Sequence, residues 1–215
     1  MKPILFLSFL LIIAQACAQT EKPNPRVFGK VGAPCEGCEA IYECPVNFKQ
    51  LGSSVEMPDW NEKGQKLVVS GIVFKADGKT PASGVVIYVY HTDQTGIYPR
   101  KGNEEGWGKR HGYIRSWIRT NEKGEYSFST LKPAAYPERN DPAHIHVTIK
   151  EPELNEYWID EFVFADDPLL TADHRSRLEN RGGSGILTTY AEGNILKAKR
   201  NIVLGASIPG YSTKK

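Results

Sequence analysis

From about Gln65 onward the chain falls into short runs in which apolar and polar positions alternate, separated by turn residues. "KLVVSGIVF" is rich in β-branched residues, "DGKTP" supplies the Gly and Pro that punctuate, and "GVVIYVYHTD" is a second strand with apolar residues on both faces. In "YIRSWIRTNEKGEYSFSTL", Ile114, Ser116, Ile118 and Thr120 alternate with Arg115, Trp117 and Arg119. "NEKG" then turns the chain, and "EYSFS" pairs back. "AHIHVTIK", "EYWIDEFVFA", "GILTTY" and "ILKAKRNIVL" read as further strands. One helix is predicted: Asp167 caps it, Pro168 takes its first position, and "LLTADHRSRLEN" carries it toward Gly182. Many short strands, one short helix and long loops predict an all-β fold, a β-sandwich of mostly antiparallel strands.

The N-terminus follows a different rule. "MKPILFLSFLLIIAQACAQT" has an early lysine, an apolar run and small residues at Ala16, Cys17 and Ala18. This pattern predicts an export signal over residues 1–18, too short for a spanning helix. "AQAC" also fits a lipobox in which Cys17 is lipidated and kept as an anchor. Either way the protein is expected to be exported: secreted, periplasmic or lipid-anchored to a bacterial membrane. Residues 19–64, rich in Pro, Gly and charge, predict an irregular lead-in, residues 65–205 the sandwich, and 206–215 a tail.

Of 215 residues 24% are charged, the formal net charge is +2 and the basic residues are scattered, so nothing predicts a nucleic-acid groove. Membrane contact is expected only through the lipid anchor, and oligomeric state is not legible. Export favours disulfides. "CEGCEAIYEC" holds Cys35, Cys38 and Cys44. A closed zinc site wants four ligands, which the neighbourhood does not supply. One disulfide with one thiol left over is the expectation, with the pairing open.

The chemistry concentrates in "AAYPERNDPAHIHVTIK". A strand sends residues i and i+2 to one face, so His144 and His146 can converge on one ion while Ile145 packs on the other side. Imidazole alone does not choose the metal, and two surface histidines would give the same spacing. Asp141 would complete a two-His, one-carboxylate site, but it precedes a proline outside the strand and also suits a turn. Tyrosine offers a hard phenolate, which requires a strongly Lewis-acidic ion because free tyrosine holds its proton to about pH 10.

"PAHIH" after a "YP" turn, with "TGIYPR" upstream and "FADDPLL" downstream, resembles the intradiol ring-cleavage dioxygenases, the protocatechuate and catechol dioxygenase family. The resemblance spans about residues 65–205, and its landmarks run in the family's order. It implies non-haem Fe(III) held by Tyr98, Tyr136, His144 and His146. It implies a small aromatic diol and O2 as reactants, with the ring cleaved between its hydroxylated carbons to a muconate-type product. It also implies that Tyr136 acts catalytically, taking a substrate proton. One position departs: the family's R-x-x-H-x-H has Asp141 in place of the arginine. Arg139, two residues earlier, is equally placed to supply that charge or to be a solvated turn residue.

The loop 99–113 is expected to rim the pocket, with Trp107 over an aromatic ring and Arg100, Lys109 or Arg110 meeting a substrate carboxylate. His111 reads as solvent-facing, and Tyr88, Tyr90, Tyr113, Tyr126 and Tyr157 as core or surface aromatics. His91 and His174 have no partner by spacing, and "RGGSGI" is a turn. Two other readings stay open. "GIVFKADGKTPASGVVIYVY" also resembles metal-free transthyretin-like and carboxypeptidase-regulatory modules, which have no reason to carry Tyr98, Tyr136 and H-x-H together. A ferric, catechol-binding protein without turnover would fit Asp141.

Overall fold

A computed structural model describes residues 30–212; the expected export signal with Cys17 lies outside the described residues, as do residues 213–215. The strands are β1 (Ser54–Glu56), β2 (Lys66–Phe74), β3 (Val86–His91), β4 (Arg115–Arg119), β5 (Glu125–Leu131) and β6 (His144–Lys150). They continue with β7 (Tyr157–Trp158), β8 (Phe162–Phe164), β9 (Ile186–Leu187), β10 (Tyr190–Glu192), β11 (Ile195–Lys199) and β12 (Ile202–Val203).

These strands form two six-stranded sheets, one ordered β1-β5-β2-β11-β10 with β12 on β2, the other β4-β3-β6-β8-β9 with β7 on β6. Hairpin neighbours pair antiparallel, as β2 with β5 and β3 with β4, whereas β11 joins β2 and β8 joins β9 in parallel. The all-β sandwich is therefore as expected, with mixed sheets.

Alternation builds the core. Leu67, Val69 and Val73 of β2 and Tyr126 and Phe128 of β5 pack against Ile87 and Val89 of β3 and Ile145, Val147 and Ile149 of β6. Each such side chain contributes roughly 1.5–3 kcal/mol on burial. The β3 strand is buried on both faces, which explains its unbroken apolar run. Its other face, Val86 and Tyr88, lies under Ala40 and Ile41, with Phe48, Trp107 and Trp117 around them.

That cover corrects the expectation of an irregular lead-in. Residues 38–43 form a 3-10 helix, Phe48–Gln50 a second, and Ser54–Glu56 a strand parallel to β5. Cys35 and Cys38 form the disulfide and Cys44 is the free thiol. Trp117 Nε1 donates to the Ile41 carbonyl at 2.8 Å, and Arg115 pairs with Glu43 at 2.6 Å. Among the described residues no helix is long and apolar enough to cross a membrane.

The predicted helix is shorter and starts later. α2 (Ala172–Ser176) is capped by Thr171, whose hydroxyl accepts from the His174 amide. Asp167 instead closes a turn: its carboxylate accepts from the Leu169 amide at 2.8 Å and from the Ala143 amide, at the entrance to β6, at 2.9 Å. The carboxylate has a better use joining two loops than starting one helix. A further short helix, α1 (Gly108–His111), lies inside the loop that follows Tyr98.

Candidate metal centre

His144 and His146 project from β6 toward the face that carries Tyr88 and Tyr90, because His146 pairs across to Tyr90 and Thr148 to Tyr88. Two loops bring tyrosines over this face. The loop after β3 is folded by Asp93, whose carboxylate accepts from the Thr95 and Ile97 amides. Gly96 (φ +79°) sits so close to the second loop that a Cβ there would lie 2.1 Å from the Ala135 carbonyl oxygen. Thr92 Oγ1 donates to the Ala134 carbonyl at 2.7 Å, and the Ala134 amide donates to the Asp93 carbonyl at 3.0 Å. The loops of Tyr98 and Tyr136 are thus fastened together just ahead of the two side chains.

The four donor atoms meet. Tyr98 Oη lies 2.5 Å from Tyr136 Oη and 2.7 Å from His146 Nε2. Tyr136 Oη lies 3.3 Å from His146 Nε2 and 3.2 Å from His144 Nε2, and the two Nε2 atoms are 3.2 Å apart. Adjacent ligands of one ion with bonds of about 2 Å have such separations.

The tautomers agree. His144 Nδ1 is 2.7 Å from the Pro142 carbonyl, which can only accept, so the proton sits on Nδ1 and a lone pair on Nε2. His146 Nδ1 is 2.8 Å from Glu161 Oε1. Burial alone would raise the Glu161 carboxyl, but the His146 hydrogen bond and the charge of the histidine pair outweigh it and hold it at about 2. An ionised carboxylate only accepts, so Nδ1 of His146 carries a proton, and in the neutral imidazole Nε2 is then the atom with the lone pair. Such an outer carboxylate is what orients a metal-bound imidazole.

The two lone pairs face each other across 3.2 Å, each with a phenol hydroxyl in reach, Tyr98 Oη at 2.7 Å from His146 Nε2 and Tyr136 Oη at 3.2 Å from His144 Nε2, and a bound cation would take the place of those hydroxyl protons. Burial lowers the basicity of His144 and raises the Tyr98 and Tyr136 phenols, the former also through its bond to Tyr136. The pocket disfavours phenolates unless a strong Lewis acid compensates, so the donor set fits a trivalent ion better than a soft one. His144, His146 and Glu161 also form a possible His–His–carboxylate group. Glu161 meets the Nδ1 side of His146, however, while the tyrosines meet Nε2.

A hollow of about 210 Å3 opens beside these donors. Tyr98, Tyr136, His146, Tyr90, Trp107 and His111 line it, with Glu36 and Arg110, which pair with each other. Trp107 is thus at the expected rim. Arg100 is not: it is exposed and lines no described hollow, and Arg110 takes its place. Arg139 is an exposed turn residue, its Nε 2.9 Å from Asp141 Oδ2 and its guanidinium 5.4 Å from the Tyr136 ring centroid.

His111 corrects another expectation. It is buried, its Nδ1 2.9 Å from the Tyr88 hydroxyl, and its ring stacks 3.8 Å from Tyr90, which stacks 4.4 Å from His146. Burial, with nearby His146 and Arg115, pushes its pKa down to about 4. His91 also has partners: Nδ1 meets the Thr92 carbonyl and Nε2 the Thr130 hydroxyl, each at 2.7 Å.

A family model described as "Dioxygenase" matches residues 47–184. The chain is 29% identical over 156 residues to the protocatechuate 3,4-dioxygenase beta chain of Burkholderia cepacia, covering 66% of this chain and 65% of that one. It is 27% identical to catechol 1,2-dioxygenase 2 of Acinetobacter lwoffii, covering 74% and 62%. The matches thus span slightly under two thirds of those relatives. Among solved structures, the dioxygenase domain of a dioxygenase carbohydrate-binding fusion protein from Streptomyces sp. SirexAA-E shares the fold. Its TM-score is 0.54 and its identity 21%, with 71% of this chain and 88% of that one covered.

Proposed function

This chain belongs to the intradiol ring-cleavage dioxygenase family, and from that premise we propose that it is a non-haem Fe(III) dioxygenase. It inserts both atoms of O2 into a catechol-type aromatic diol and opens the ring between the hydroxylated carbons to a muconate-type diacid. We place it outside the cytoplasm, a reading supported by the apolar N-terminal run and the Cys35–Cys38 disulfide. The observation that carries the proposal is the convergence of Tyr98 Oη, Tyr136 Oη, His144 Nε2 and His146 Nε2, with both Nδ1 protons directed away.

Bound by these four residues, a ferric ion would supply the Lewis acidity that draws electron density from a catecholate and exposes the ring to O2. The chain's own groups do the rest. As the phenolate that a bound ferric ion would stabilise, Tyr136, which lines the hollow, would accept the substrate proton and become the neutral phenol, while Tyr98 would remain a donor to the ion. Glu161 fixes the His146 ring. Tyr90, Trp107 and His111 give the hollow a largely aromatic lining, which suits an aromatic substrate.

One observation favours a second reading, a ferric catechol binder without turnover. Asp141 pairs with Arg139, whose guanidinium lies 5.4 Å from the Tyr136 ring centroid, and so sets a carboxylate beside that cation.

An absorption spectrum of the ferric-loaded protein, before and after catechol under air, tests both. A broad visible band that shifts with catechol and decays as muconate forms is the expected result. A persistent catechol band would leave only the binder. A protein that stays colourless after ferric loading would remove the metal assignment.

A further inference from the structure

Two hollows flank His146. One is the 210 Å3 space between the tyrosines and Trp107. The other, about 260 Å3, adjoins it across Glu36, Tyr90 and His146, which line both. Nothing in ring opening uses this second space. Its walls are Pro34, the Cys35–Cys38 disulfide, Trp158 and Ile159, and its carboxylates are Glu36 and Glu161. No lysine or arginine among the described residues lines it.

Both carboxylates are already engaged, Glu36 with Arg110 and Glu161 with His146, so neither waits for a cation. Both still oppose an incoming anion. The proline, the disulfide and the Trp158 indole offer apolar surface to a flat or aliphatic group. Residues 34–38 of this wall lie ahead of the stretch 47–184 that the family model matches, while Trp158 and Ile159 lie within it.

We propose that the second hollow is a subsite for an uncharged substituent on the aromatic diol. The preferred substrates are then catechols bearing an apolar or aromatic arm, and bare catechol and carboxylated catechols are poorer ligands. The inference rests on the dioxygenase reading of the metal centre. Bare catechol fills the first hollow alone, whereas the arm also removes apolar wall from water.

Binding tests this without turnover. The ferric-loaded protein is titrated without O2, following Trp107 and Trp158 fluorescence. The ligands are catechol, a catechol with a phenyl arm, and one whose arm ends in a carboxylate. The phenyl arm should lower Kd by about tenfold or more, each tenfold being about 1.4 kcal/mol, and the carboxylate should cancel the gain. Pro34→Trp, at an exposed position, fills the hollow. It should erase the gain while leaving catechol within about twofold, well inside one decade of Kd. Equal affinity for catechol and the phenyl catechol, or a gain that survives Pro34→Trp, overturns the subsite. If catechol binds and the arm adds nothing, only the subsite falls. If no diol binds, the proposed function falls with it.

Discussion

Glu161 Oε1 sits 2.8 Å from Nδ1 of His146, on the side of the ring away from the Nε2 that meets Tyr98. Loss of such an outer partner weakens metal binding by about 10- to 100-fold in comparable sites. Glu161→Ala should do so in a ferric titration, and Glu161→Gln, which still accepts the hydrogen bond, should recover most of the affinity. Equal loss in both variants would mean that the anion matters and the orientation does not.

Tyr98→Phe and Tyr136→Phe each remove one hard donor. Each should shift or abolish the visible band of the ferric protein. Only Tyr136→Phe should also slow proton removal from bound catechol, seen as a fall in kcat of about 10²-fold or more. Equal effects of the two on kcat would remove the special role given to Tyr136.

Asp141→Asn leaves Arg139 unpaired. Their bridge is solvent-exposed, so stability should change by no more than ~1 kcal/mol. Ring-cleavage kcat should rise severalfold if Arg139 then faces charge building on the substrate. Unchanged kcat with unchanged unfolding would assign Arg139 to the turn alone.

His111 should give the metal-free protein a pH signature. Its folded pKa of about 4 lies below its ordinary 6.5, so the unfolded chain binds the proton first. The contribution is therefore intact above pH 6.5 and is lost as pH falls toward 4, with a slope of up to about 1.4 kcal/mol per unit. Urea unfolding of wild type and His111→Phe across pH 4–7 should differ by this slope. Parallel curves would show that the ring titrates freely in the fold.

Gly37 couples the disulfide loop to the same histidine. Its φ is +88°, and a Cβ would lie 2.9 Å from His111 Nε2. Gly37→Ala should cost at least about 1–2 kcal/mol, readable in thermal unfolding, because the left-handed backbone and the contact both penalise it. A neutral substitution would show that the loop lifts away without cost.

The strands were legible because one buried face imposes a period of two. "KLVVSGIVF" matches β2 residue for residue, and the both-sided apolar run of β3 marked a strand covered twice. His144 and His146 followed from the same period. The tyrosines did not: Tyr98 and Tyr136 come from loops, and only the ordered family motifs singled them out.

Glu161 was invisible to local patterns because register places it. His144 pairs with Val163 and Ile145 with Phe162, so one further step sets Glu161 opposite His146. His111 misled because "GKRHG" is basic and glycine-flanked, like a surface loop, yet one helical turn rolls the ring between Tyr88 and Tyr90. Asp167 misled because an Asx-type bond and a helix cap begin alike, and Ala143 competed for the carboxylate.

The segment that covers β3 lies more than fifty residues from the first tyrosine of the centre. Donors and cover are therefore written in separate parts of one chain and meet only on folding. A lineage can redraw the cover, lengthening a loop or moving a cysteine, while the donor cluster stays intact. Selectivity and reactivity are then free to drift at different speeds, and an engineer can vary the exposed Pro34, Glu36 and Glu39 while keeping Ala40 and Ile41, which are buried against β3.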